Sequence, residues 1–168
     1  MADRPTLYLS NWSSHRTPGA HGPGRKWTIM ARPRAWEHGE GRVTVLLPPA
    51  AEIPRLVRLV NERRGGAWPS SRTLDADGLR LASELPEYRA ACEAHWRAYH
   101  EMLPPGALMA KAGCLLVPVA DGDTLCCACS VAEARAGRCH RSWSAPHLYR
   151  AGWRVVLEGV EFVEVDHA

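Results

Sequence analysis

Residues 124–157 read TLCCACSVAEARAGRCHRSWSAPHLYRAGWRVVL. Thr124 to Ala128 is small and apolar, carries no charge and follows the turn signal Asp121-Gly122-Asp123. That pattern predicts a strand buried on both faces. A polar loop, Ser130 to Arg138, leads to Cys139-His140-Arg141, where a helix is expected to run to Ala151 with Gly152 as its stop. Trp153 to Leu157 reads as a last strand, which Val160 to Val165 extends or pairs with. A strand, a crossover helix and a second strand make the repeating unit of a parallel sheet.

Working outward, Thr6 to Leu9 is a short first strand, and the loop from Trp12 to Arg25 carries the turn signals Pro18-Gly19 and Gly22-Pro23-Gly24. Lys26 to Ala31 and Val43 to Leu47 read as further strands, the second stopped by Pro48-Pro49. Ile53, Leu56, Val57 and Val60 have helical spacing, so residues 52–63 are expected to form a helix. Residues 64–84 suggest an extended loop with a short helix near Leu79. Pro86 opens the strongest helix, expected to reach Leu103, with Tyr88, Ala91, Cys92, His95, Trp96, Tyr99 and Leu103 on one stripe. Leu108 to Ala112 reads as a short turn or helix. The whole predicts one α/β domain over residues 1–168, a Rossmann-like, mostly parallel sheet with helices packed on it. In such sheets ligands sit beyond the carboxyl ends of strands. The loops after the first strand, after Ala31 and after Ala128 are the candidates.

A chain of 168 residues with 46% hydrophobic and 23% charged residues can bury a proper core. The formal net charge of +3 demands no nucleic-acid partner and repels no phosphate. No run of 18 uncharged apolar residues predicts a membrane span, and no leader pattern opens the chain, so a cytoplasmic location is expected. In that reducing setting, grouped cysteines read as metal ligands or reactive thiols before disulfides.

Four of the six cysteines fall between Cys126 and Cys139. Three chemistries compete for them. Cys127, Cys129, Cys139 and His140 offer ligands for zinc or an iron–sulfur cluster, although the spacing departs from that of structural zinc sites. A thiol between strand and helix, with Arg138, His140 and Arg141 beside it, can be reactive. Cysteine is also a small buried hydrophobe, which suits Cys126 in a strand. Cys92 and His95 share the apolar stripe and read as packing.

The order strand, cysteine, loop, Cys139-His140-Arg141, helix, Gly152 and strand resembles the family called domain of unknown function 488. Tyr8-Leu9-Ser10-Asn11 looks like that family's first strand. Thr28 to Arg32 followed by Trp36 and Gly39, and then Leu46-Leu47-Pro48, look like its next segments. The C-x-C before Cys-His is also similar to the related domain of unknown function 4326 family. The resemblance implies a Rossmann-like fold and a ligand that is a nucleotide or nucleic acid, with base–sugar (N-glycosidase-type) cleavage among the suggested chemistries.

These readings converge on one expectation. His15 and Arg16 in the first loop, Arg32 after the second strand and Arg141 are expected to bind the anionic parts of a nucleotide-like ligand. Cys139 and His140 are the candidate catalytic pair. The alternative is a non-catalytic module whose Cys127, Cys129, Cys139 and His140 hold zinc or an iron–sulfur cluster and which binds protein or nucleic acid.

Overall fold

The computed structural model describes residues 4–29, 39–46, 55, 58–59, 62–63, 85–137 and 139–164, with the side chains of His15, Thr44, Tyr88 and His140 outside that set. Eight strands form one mixed sheet in the order β5-β4-β3-β2-β6-β1-β7-β8. They are β1 (Thr6–Asn11), β2 (Lys26–Thr28), β3 (Gly41–Arg42), β4 (Met109–Ala112), β5 (Leu115–Pro118), β6 (Thr124–Cys127), β7 (Arg154–Leu157) and β8 (Val160–Glu161). The central run β3-β2-β6-β1-β7 is parallel, and antiparallel pairs flank it on both sides. Helices with both ends among the described residues are α1 (Pro86–His100), α2 (Val131–Arg135) and α3 (His140–Arg150). The fold is α/β, as expected, but the sheet is mixed.

The centre of the sheet is where the sequence speaks most clearly. All four residues of β6 are buried, because β1 and β2 pair with its two edges and helices cover the sheet. In β1 the alternation Leu7 and Leu9 feeds the core, where Trp27, Ile29, Leu125, Trp96, Leu148 and Val155 join them. Each such side chain stabilises the fold by roughly 1.5–3 kcal/mol on burial. At the carboxyl end of β1 the pattern changes: Ser10 and Asn11 are buried although polar. They lie in register with Cys126 and Cys127 of β6.

Several local expectations shift. The apolar run Val43 to Leu47 forms a 3-10 turn over Thr44–Leu46 after the two-residue β3. Its Val43, Val45 and Leu46 are still buried, so packing is kept without strand geometry. Leu108 to Ala112 supplies strand β4, not a helical turn, because Leu115–Pro118 pairs with it as a hairpin around Gly113. The loop expected over Ser130 to Arg138 contains α2, closed at its start by a capping box between Ser130 and Glu133. Within the helix expected over 52–63, the described positions 55, 58, 59, 62 and 63 are helical. The loop expected over 64–84 lies outside the described residues. No helix among the described residues is long and apolar enough to cross a membrane.

Candidate functional site

Because β1, β6 and β7 are parallel neighbours, their carboxyl ends share one rim. From β1 the chain returns to the sheet at β2, beyond β6, and from β6 it returns at β7, beyond β1. Loops leaving adjacent strands for opposite sides open the space in which α/β sheets hold ligands.

Glu158 follows β7 at this rim, in a left-handed conformation (φ 50°) that is rare for a residue with a side chain. Its backbone N–H donates to Leu9 O at 2.9 Å, and its carboxylate is buried. Oε2 accepts from Ser14 Oγ at 2.9 Å and from Ser10 Oγ at 3.3 Å. Oε1 meets Nη1 of Arg141 in a buried ion pair. Ser14 Oγ also lies 2.9 Å from Asn11 Oδ1, so its one proton is shared between the two acceptors. One carboxylate therefore ties the turn after β1 to the start of α3.

Arg141 is fully buried and its donors point to protein groups. Nη2 donates to Cys129 O at 2.7 Å and Ser130 O at 3.0 Å, and Nε donates to Cys139 Sγ at 3.4 Å. Burial lowers the guanidinium's pKa and the neighbouring cysteines raise it, with a net upward direction, so the group stays charged. A buried charge of this kind persists only with partners, and Glu158 supplies the balancing one.

The thiols lie against this clamp. Cys127 ends β6, Cys129 precedes the α2 cap and Cys139 caps the start of α3. Their three sulfurs lie within 4.8 Å of one another, with Cys127 and Cys139 at 3.4 Å. Burial, with hydrogen bonds to the other two thiols, pushes Cys127 well above the ordinary thiol range. Cys129 is pushed up to about 12; its bond with Cys127 lowers it, and its bond with Cys139 and burial raise it. Cys126 is buried beside them on β6 and is pushed up to about 12 by burial.

A cavity of about 270 Å³ adjoins Glu158, lined also by Ala134, Arg135, Leu157, Val160 and Phe162. Its walls are mostly apolar. Arg135 is exposed at its edge, and no carboxylate pairs with it among the described residues.

The structure brings Arg141 and Cys139 into contact and links them through Glu158 to Ser14. His15 and Arg16 belong to the same 3-10 turn as Ser14, and Arg16 is exposed. His140 is the first residue of α3, next to Cys139. Arg32 lies outside the described residues. Sequence reasoning passed over Glu158, Ser10 and Ser14. A carboxylate directly after an apolar strand was the available signal for Glu158, since that position is a ligand rim. Comparisons with protein-family models, with curated protein sequences and with solved structures returned no match.

Proposed function

We propose that this chain, as one Rossmann-like unit, is an enzyme-type domain that binds a nucleotide-like ligand at the carboxyl rim of β1, β6 and β7. The observation that carries the reading is Glu158, a buried carboxylate bordering a cavity and joining the two turns expected to build a site. The cavity, of about 270 Å³, is small and open on one side. That suits a single ring system or sugar, with the rest of a nucleotide extending to the rim. Arg135 and Arg16 are exposed there and can meet phosphate.

For base–sugar cleavage, Glu158 is the carboxylate that borders the cavity, and the part of its charge not met by Arg141 would act on a cationic sugar in the transition state. Arg141 and the two serines hold it in place. Cys139 and His140 remain the candidates for proton transfer or nucleophilic attack. The test pairs saturation-transfer NMR using adenosine monophosphate with chromatographic detection of free base from nucleosides. Binding by the native chain, weakened at least about tenfold in Arg16→Gln, with base release lost in Glu158→Gln, supports the reading. Absence of binding, or release unaffected in Glu158→Gln, refutes it.

A further inference from the structure

We propose that Cys127, Cys129 and Cys139 bind one thiophilic divalent ion, zinc by preference, at the carboxyl end of β6. The proposal does not need a nucleotide ligand; with the ion bound, Cys139 is a metal ligand and His140 alone remains for proton transfer. At the ~2.3 Å zinc–thiolate bond length, two sulfurs on one tetrahedral ion stand about 3.8 Å apart. Three sulfurs within 4.8 Å, one pair at 3.4 Å, need shifts of only a few tenths of an ångström to about one ångström to meet that geometry. An iron–sulfur cluster distributes its thiolates over different irons and so spreads them wider. The close triangle therefore favours a single ion.

Each ligand sits on a fixed piece of chain. Cys127 is held by strand pairing to β1. Cys129 lies in a turn pinned twice, by Arg141 at its carbonyl and by the Ser130–Glu133 capping box that follows. Cys139 opens α3 and accepts from Arg141 Nε. An N–H donor to a ligand sulfur is the outer-shell contact that orients metal thiolates. The charge fits as well. A divalent ion with three thiolates carries one net negative charge, and the Arg141 guanidinium beside it, shared with Glu158, offsets part of that charge. Cys127 and Cys139 are buried while Cys129 is half-exposed, so the triangle has a wet side through which an ion can enter. On binding, each thiol becomes a thiolate and its proton passes to solvent.

The test is cobalt(II) and zinc(II) titration of the reduced full chain after chelation, followed by absorbance, with elemental analysis of the zinc-loaded protein. One ion per chain is expected, with thiolate-to-cobalt charge transfer and the strong visible bands of a tetrahedral ion. Cys129→Ser, at the half-exposed position, is expected to fold, to weaken binding at least about tenfold and to lower the charge-transfer intensity. Cys114→Ser, at an exposed cysteine outside the triangle, is expected to change nothing. A folded native chain that takes up no ion overturns the proposal. So does an unchanged cobalt spectrum in Cys129→Ser, or a chromophore containing iron and sulfide.

Discussion

Replacing Arg141 by Met tests whether the rim is held by its buried ion pair. The guanidinium is fully buried, donates to two carbonyls and one thiol, and pairs with Glu158. Met keeps much of the volume but leaves Glu158 as a buried charge with only Ser10 and Ser14 as partners. Removing one partner of a buried pair costs about 3–5 kcal/mol. In a chain of this size each kcal/mol lowers the melting temperature by about 2–4 °C, so the variant is expected to melt about 6–20 °C lower. Glu158→Gln leaves Arg141 charged but still bonded to Cys129 and Ser130, which places it at the lower end of the same range. The double variant Arg141→Met/Glu158→Gln removes both charges, and its loss is expected to fall well short of the two single losses added together. The assay is urea unfolding of the chelated, reduced chain, read as a double-mutant cycle. A coupling energy below about 0.5 kcal/mol would show that the two groups do not pair in the native protein, and the account of the rim would fail with it.

At the opposite end of β6, the Asp123 carboxylate accepts from Arg25 N, Trp27 Nε1 and Ala120 N at 2.7–2.9 Å. Asp123→Ala strands buried donors and is expected to cost about 3 kcal/mol in urea unfolding; a loss under 1 kcal/mol contradicts these bonds. Burial, with His147 close by, pushes His100 down to about 4, and the two rings lie 4.8 Å apart. Its folded pKa is lowered, so its contribution is complete above the ordinary value near 6.5 and is lost as pH falls from there toward 4. Discounted for its partial exposure, that loss is about 1 kcal/mol, and a thermal-melt pH series on His100→Phe should lack that part of the slope. A Cβ added at Gly22 would run into the Gly122 carbonyl and the Tyr8 ring. Gly22→Ala is expected to lower the melting temperature by several degrees, and an unchanged melt would place that loop elsewhere.

What could be read from the sequence follows the range of the interactions involved. The buried run of β6 and the stop at Gly152 depend on neighbours within a few residues, and both are found. The stripe of α1 is borne out at Cys92 and Trp96, which are buried, while its last turn ends at His100 instead of Leu103. The α2 helix was legible and passed over, since Ser130 and Glu133 carry the capping-box spacing in a segment whose polarity suggests a loop. The hairpin β4–β5 was harder to see. Leu115 and Leu116 are exposed on an edge strand, so no alternation of burial marks them. The partners of Glu158 were out of reach for a different reason. Ser10 and Ser14 lie more than 140 positions away from it, and only the pairing of β7 with β1 brings them together.

That pairing explains why a polar, charged group can persist at this place in the core. Ser10 and Asn11 break the apolar pattern of β1 at the position where the strand reaches the rim. Without Glu158, Ser10 would bury its hydroxyl without its acceptor, at a cost of about 1–3 kcal/mol. Without Arg141 the carboxylate would be stranded, and without Glu158 the guanidinium would be. Each residue is tolerable only because the other chain segments deliver theirs to the same few ångströms. The left-handed backbone at Glu158 adds a conformational cost of order 1–3 kcal/mol, offset by these contacts. A purely structural rim would be met more cheaply by apolar side chains of similar volume, since replacing buried ion pairs in that way is often neutral or stabilising. A left-handed backbone at a buried carboxylate, a buried guanidinium and three neighbouring thiols are therefore more than packing at this rim requires.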